Sequence, residues 1–365
     1  MKKKSMKKKK RGGRILILIG IAIAAVFCYL VPKAIAPEGK NAVSLKVDDS
    51  SVIDPTTSTA IPTVPDTTTF TFAGDMMFDR YVNHSFKNIG LDHVFDNLDK
   101  TLFSNSDIRF ANLEGPISAE PIVDDHPARS LVFNMPPTTI SALNVLSLNG
   151  VSLANNHTLN AGNSGFDTTK QQLDSVDIGY AGTQNGFSED NNIIRYNTTI
   201  PVAIICVDYL AYSNNAKITA AIQAEKAKGE FVIIFPHWGT EYSITHTTSQ
   251  ETAAKTWIDA GADLVVGSHP HVVEDVDIYK NKPIIYSLGN FVLDQTFSAD
   301  TQQGLIVSGT ITAEKLELKI IPIQSIKLYP QLATDTIKNA MLSRILSSQN
   351  LTPFLSNGDT ILVER

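Results

Sequence analysis

The 365-residue chain is 43% hydrophobic and 19% charged, enough apolar material for one large domain or two smaller ones. Its charge is uneven: residues 1–14 hold nine Lys or Arg and no acid, leaving 22 basic against 37 acidic residues in the remainder. An acidic body argues against a nucleic-acid-binding surface, and two cysteines in separate apolar runs, Cys28 and Cys206, support neither a disulfide framework nor a thiolate zinc site.

Taken in chain order, residues 1–14 read as a basic cytoplasmic tail. Residues 15–31 are apolar, small or aromatic throughout, and Pro32 follows them. Their length is at the lower end of what spans a bilayer. With the basic block in front, the positive-inside bias predicts a single-pass anchor in the cell membrane, N-terminus cytoplasmic and C-terminal domain extracellular. The competing reading is a cleaved signal peptide, with Ala34-Ile35-Ala36 as the cleavage site. The apolar run exceeds the usual signal core and Pro37 would follow the bond, so the anchor is favoured. Residues 32–66, rich in Pro, Ser and Thr, read as a flexible linker.

A folded domain is expected over 67–325, with a helix and strand in 326–365 packed on it. A strand at Thr69–Ala73 runs into Gly74-Asp75-Met76-Met77, and a second at Ile108–Ala111 runs into Asn112-Leu113-Glu114. A helix near Thr138–Leu148 precedes a strand that carries Asn155-Asn156-His157, and another helix is expected over Phe166–Val176. In the second half, strands at Ala203–Val207 and Phe231–Phe235 are followed by Pro236-His237-Trp238. Thr248 and Glu251 have capping-box spacing for a helix that ends at Gly261. Strands at Asp263–Val266 and Pro283–Leu288 lead into His269-Pro270-His271 and Asn290. Residues 304–323 alternate in the β manner, and a helix over Thr336–Ser348 precedes a last strand at Thr360–Val363. Strands alternating with helices indicate an α/β domain, in which sites gather at the carboxyl ends of strands.

Asp75, Glu114, Asn156, His157, His237, His269 and His271 all fall at such ends. Singly, each has a structural explanation: Asp75 as a turn residue, Asn155 and Asn156 as turn caps, His237 as a satisfied buried histidine. Together they form a mixed oxygen and nitrogen set suited to Mn, Fe or Zn rather than Ca. The two-residue spacing of His269 and His271 would put both rings on one side of an extended backbone. Two metals sharing carboxylates can activate water and offset charge on a phosphoryl group, so phosphoester hydrolysis is the chemistry this set supports. His84, His93, His126 and His246 lie in polar segments and are given no site role.

The motifs Phe72-Ala-Gly-Asp75-Met-Met, Ala111-Asn-Leu-Glu114-Gly-Pro116, Leu153-Ala-Asn-Asn-His157, Pro236-His-Trp-Gly-Thr-Glu-Tyr242, Gly267-Ser-His-Pro-His271 and Tyr286-Ser-Leu-Gly-Asn-Phe291 resemble those of the CapA family, in the same order. These are poly-γ-glutamate capsule synthesis proteins, similar to the calcineurin-like metallophosphoesterases. The resemblance covers about Thr67–Leu293. It implies a four-layer αββα metallophosphoesterase-like sandwich behind the N-terminal transmembrane helix, holding one or two divalent ions. Asp75 and Glu114 would be carboxylate ligands, Glu114 bridging, with Asn156, His237, His269 and His271 completing the set. His157 would give a proton to the leaving oxygen. Asn155, Trp238, Glu241, Tyr242 and Asn290 would support the ligands or wall the site, and Arg80 would meet an anionic substrate or form a surface salt bridge.

Two positions depart from the pattern. Metallophosphoesterases usually start with Asp-x-His, where this chain has Met77, and Asn160 stands where CapA proteins usually have Asp. The expected function is a membrane-anchored, outward-facing hydrolase of phosphoester or amide bonds in the synthesis, export or attachment of an anionic surface polymer. The alternative is a non-catalytic, metal-containing polymer-binding or assembly subunit of a membrane synthase.

Overall fold

The computed structural model describes residues 66–120 and 131–365. The expected tail, anchor, almost all of the linker, Cys28 and His126 lie outside the described residues. Among those described, no helix is long and apolar enough to cross a membrane.

The strands are β1 (Thr68–Met76), β2 (Ile108–Leu113), β3 (Gly150–Ser152), β4 (Gly179–Ala181), β5 (Ile193–Tyr196), β6 (Val202–Asp208), β7 (Phe231–His237), β8 (Leu264–Val266), β9 (Val276–Tyr279), β10 (Lys282–Ile285), β11 (Asn290–Val292), β12 (Gln303–Ile311), β13 (Lys315–Ile326), β14 (Tyr329–Leu332), β15 (Leu355–Ser356) and β16 (Thr360–Glu364). One sheet has the order β15-β16-β13-β12-β1-β2-β3-β4, with β11 added to β1 and β14 to β13; the other is β5-β6-β7-β8-β10-β9. Both are mixed, parallel through β1-β2-β3-β4 and β6-β7-β8-β10.

The two sheets pack face to face. Phe70 and Phe72 of β1, Phe110 of β2, Ile204 and Cys206 of β6, and Phe231, Ile233 and Phe235 of β7 fill the seam between them. Phe72 meets both Phe110 and Phe235 edge to face, at 5.9 and 6.1 Å. The outer face of the second sheet is covered by helices Asn215–Ala227 and Thr248–Ala260, through Ile218, Ile222, Ala253 and Trp257. The outer face of the first is covered by helices Arg80–Phe86, Thr139–Val145 and Gly162–Asp174, through Phe86, Leu143 and Leu173. The layers are therefore helix, sheet, sheet, helix, and the α/β class read from the sequence is the class observed.

The period-two alternation of strands decides which side chains reach the site. In β2, Ile108 and Phe110 face the seam, so Asn112 and Glu114, on the same parity, continue along it. In β7, Phe231, Ile233 and Phe235 do the same and carry His237 there, while Trp238 goes to the opposite, helix-covered face. β1 breaks the rule: Phe70 and Phe72 face the seam, Ala73 and Met76 face the helices, and the pairing with β2 slips between Ala73 and Asp75. This bulge at Gly74 inverts the parity and turns Asp75 into the seam. A side chain at Gly74 would stand 1.9 Å from the carbonyl oxygen of Gly289, so the bulge is open only to glycine.

Several local expectations are corrected. The helix cap is one residue earlier: Thr247 is the extended N-cap and Gln250 its capping-box partner, while Glu251 pairs with Lys255. The strand expected to carry Asn155–His157 ends at Ser152, and these residues occupy turns beyond it. The run Pro283–Leu288 is split, with β10 ending at Ile285 and Asn290 starting β11. Helix Asn215–Ala227 has no counterpart in the expected elements: its buried face, Ile218, Ala221, Ile222 and Glu225, has a glutamate where the apolar stripe would continue. His246, given no site role, stacks on Tyr286 at 3.8 Å and pairs with Asp275 at 2.7 Å.

Gly74→Ala should lower stability by about 1–3 kcal/mol, the usual cost of forcing extra volume into a packed interior. The shift in urea midpoint measures it, and an unchanged midpoint would show that the bulge tolerates a side chain.

Candidate metal centre

Asp75, at the bulge, is fully buried and its two oxygens are committed differently. Oδ1 accepts a hydrogen bond from Asn112 Nδ2 at 2.8 Å. Oδ2 accepts from the backbone N–H of His269 at 3.2 Å and lies 3.4 Å from His271 Nδ1. Glu114 follows the end of β2 and is also fully buried. Neither of its carboxylate oxygens has a hydrogen-bond partner; the ring nitrogens of His271 and His157 stand at 3.6 and 3.7 Å from Oε1. A buried carboxylate without donors is costly unless a cation or a proton compensates it.

A second set of donors lies against the first. His237 Nε2 has Asn156 Oδ1 at 2.9 Å and His269 Nδ1 at 3.2 Å. On its other side, His237 Nδ1 meets Ser268 Oγ at 3.1 Å. Glu241, at the exposed edge, brings a third carboxylate within reach of His269 and His271. Asp75, Glu114 and His271 form one group whose ligand atoms all lie within 4.8 Å of one another, and Glu241, His269 and His271 form another.

The sequence placed the two histidines of His269-Pro270-His271 on one side of an extended strand, and the structure corrects this. Both are left-handed, with φ of 100° and 59°, and the rings converge at 5.8 Å because the backbone curls around Asp75. Arg80 and Tyr242 also have positive φ, of 49° and 65°. Non-glycine residues held in that region store strain, and such residues concentrate at functional sites.

Burial pushes the Glu114 carboxyl up to about 8, with His271 pulling it down and Asp75 pushing it further up. Burial disfavours charge on His271 as well, but Glu114 and then Asp75 outweigh it and lift its pKa to about 9. His269 is driven down to about 3 by burial and by His271, and His237 falls well below the ordinary range through burial and then its neighbours His269, His271 and His157. The cluster thus presents two imidazoles that burial keeps neutral, His237 and His269, beside two buried carboxyl groups and His271, which lies against both. That donor set fits a divalent cation, with Asp75, Glu114, Asn156, His237, His269 and His271 the residues that would hold it.

His157 lies over Phe133, with ring centroids 4.1 Å apart. Asn160 Oδ1 accepts the backbone N–H of Phe133 at 2.8 Å, which fixes its amide orientation, and lies 3.1 Å from His157 Nδ1. The Nδ1 position therefore carries a proton and Nε2 is the nitrogen turned toward Glu114. Asn155 anchors the turn: its amide donates to Leu113 O and Asn112 Oδ1, and its oxygen accepts the N–H of His157. Asn290 Oδ1 is 3.1 Å from His271 Nδ1. Arg80 pairs with Asp294 and places its guanidinium 4.7 Å above Phe133. Tyr242 brings its ring to 6.2 Å from His271.

Trp238 stands apart from these. It packs in the helix-side core between Trp257 and Tyr286 and donates to Tyr286 O at 2.8 Å. Met77, where a histidine is usual, is fully buried with Phe133 and Leu293 and accepts the N–H of Asp79 at Sδ. Two residues were missed as site members: Asn112, which links Asp75 to Asn155, and Ser268, which orients His237. Asn112 shares the parity of Glu114, which was the signal available for it.

Among solved structures, the chain is similar to Vps29 of Chaetomium thermophilum, at 13% identity and a TM-score of 0.26 over 57% of this chain and 89% of that one. It is 31% identical to the capsule biosynthesis protein CapA of Bacillus anthracis over 76% of this chain and 75% of that protein. It is 28% identical to the PGA biosynthesis protein CapA of Bacillus subtilis over 64% of this chain and 66% of that protein. The model of the bacterial capsule synthesis protein family PGA_cap matches residues 69–295, the stretch that carries the buried carboxylates and the histidines. On that match and the CapA relatives, the chain belongs to the bacterial capsule synthesis protein family PGA_cap, that of the CapA proteins.

Proposed function

We propose that this protein is a divalent-metal-dependent hydrolase of the metallophosphoesterase kind, acting on phosphoesters during poly-glutamate capsule synthesis. The capsule role is the one carried by the family and by the names of its relatives. The chemistry rests on one observation above the others: Glu114 is buried without a hydrogen-bond donor, beside a second buried carboxylate and among histidine nitrogens. A divalent ion bound there supplies Lewis-acid activation of water and offsets charge that develops on a phosphoryl group.

The chain's own residues divide the remaining work. Asp75 is held by Asn112 and the N–H of His269, so its carboxylate enters the site already oriented. His157, with its Nδ1 proton held by Asn160, would take up a second proton at Nε2 from solvent or the attacking water and give that proton to the leaving oxygen. Phe133 and Met77 keep water from that side of the ring. A second reading, a non-catalytic subunit that binds polymer or assembles a membrane synthase, is favoured by Met77, a thioether where the related phosphoesterases have a ligand.

The apolar segment 15–31 behind a basic tail supports a single-pass anchor with the domain outside the cell membrane. Protease added to intact cells should then release the folded domain, and full protection would place it inside.

Elemental analysis of the purified full chain should find Mn, Fe or Zn at one or two equivalents, and Glu114→Gln should remove at least one. The ion should also raise the wild-type melting temperature by mass action, about 2.7 kcal/mol at a hundredfold excess over Kd. No metal after incubation with each ion would sink the reading. His157→Ala should keep the metal and lose about 10²–10⁴-fold in phosphoester turnover. Full turnover in that variant would remove His157 from the chemistry, whereas unchanged polymer yield without any wild-type turnover would favour the binding subunit.

A further inference from the structure

A pocket of about 330 Å³ is lined by Arg80, Leu131, Tyr242, Asp294, Gln295 and Phe297, beside the carboxylate and histidine cluster rather than formed by it. Its walls are tied to the site. The Tyr242 ring stands 6.2 Å from His271, Gln295 bonds Asn290, which in turn meets His271, and Arg80 lies over Phe133, which lies over His157. Material entering the pocket is therefore beside the reacting position.

The chemistry of the lining is unusual for a protein expected to handle a polyanion. Leu131, Tyr242 and Phe297 are 42, 43 and 67% exposed, large apolar side chains gathered on one small surface. The rings of Tyr242 and Phe297 meet edge to face at 5.2 Å and 82°. Tyr242 is held there by a strained backbone and by its N–H, which donates to Pro270 O at 2.8 Å, while Gln295 donates to its hydroxyl at 3.2 Å. The charged groups of the lining, Arg80 and Asp294, pair with each other. A chain of carboxylates laid across this surface would gain little from it, whereas a hydrocarbon body would be desolvated. Exposed apolar side chains clustered beside a polar site mark a binding surface.

We propose that this pocket receives the hydrocarbon part of an amphiphilic phosphoester whose phosphate sits among Asp75, Glu114 and the histidines. The proposal rests on the phosphoester reading of the site and names its substrate class. Arg80 and Gln295 stand where the polar neck between phosphate and hydrocarbon passes. Binding energy from the non-reacting part of a substrate can hold the reacting part in register.

Phosphonates test this without turnover. The metal-loaded full chain is titrated with methylphosphonate and with octylphosphonate by calorimetry, alongside Phe297→Ser, an exposed position outside the catalytic groups. Each fully buried methylene contributes roughly fourfold in affinity, so octylphosphonate should bind at least about tenfold more tightly even if only part of its chain is covered. Phe297→Ser should cut that advantage to about twofold or less and leave methylphosphonate binding unchanged. Equal affinities for the two phosphonates, an advantage retained in both Phe297→Ser and Leu131→Ser, or binding of neither phosphonate would overturn the proposal. Competition then separates the sources: displacement of octylphosphonate by phosphatidic acid in phosphatidylcholine vesicles supports a lipid phosphoester, and displacement by soluble hexyl phosphate alone supports a free one. Loss of ester hydrolysis with chain-length-dependent phosphonate binding intact would sink the hydrolase reading and leave this pocket assigned.

Discussion

Two carboxylates removed from water within reach of the same imidazole are the constraint on which the rest of this structure depends. Burying one such ion costs several kcal/mol even after relaxation. The fold buries both Asp75 and Glu114, burial holding Glu114 toward its neutral form, and it surrounds the pair with groups that share the load. Asn112 and the backbone of His269 donate to Asp75, and His271 lies against both carboxylates. The curl of the chain through His269-Pro270-His271 and the bulge at Gly74 make sense only as devices that bring these groups together. Each spends local stability on backbone geometry that an ordinary strand end would avoid.

The departures from the metallophosphoesterase pattern have a physical shape. Met77 did not leave a hole where a histidine would stand; it joined Phe133 and Leu293 in a small apolar cluster. Phe133 in turn covers one face of His157 and has the guanidinium of Arg80 4.7 Å from its ring centroid. One wall of the site is therefore hydrocarbon where a ligand-rich wall is usual. Asn160 keeps the hydrogen bond to His157 Nδ1 but as a neutral acceptor, so the ring is oriented without the extra basicity that a carboxylate would give it.

How much of this was legible in the sequence differs from residue to residue. Asp75, Glu114, Asn156, His157, His237, His269 and His271 were readable because apolar runs of strand length ended in polar clusters, and the structure gathers all of them. Asn112 was hidden by its chemistry, since an amide inside a β run looks like a strand residue until its parity with Glu114 is counted. Trp238 was misplaced for the converse reason: it neighbours His237 in sequence, and neighbours in a strand face opposite ways. The parity inversion at Gly74 was beyond reach, because it depends on the carbonyl of Gly289, more than two hundred residues away. The curl at His269-Pro270-His271 was likewise a matter of tertiary partners overriding local backbone preference. Helix Asn215–Ala227 escaped because its buried face holds only Ile218, Ala221 and Ile222 before Glu225 interrupts the apolar period.

The metal-ligand candidates come from both sheets: Asp75 and Glu114 from the ends of strands in one, His237 and His269 from the ends of strands in the other. The full donor set exists only once the sheets have docked, so an ion held by all of it cannot act as a nucleus for folding here. It would arrive last and then rivet the two layers together. Parting the sheets would first require pulling a charge out of a dry seam, which makes the loaded protein slow to open in a way that its equilibrium stability would not reveal. Wherever proteases meet whatever opens, such a rivet would set how long each copy lasts.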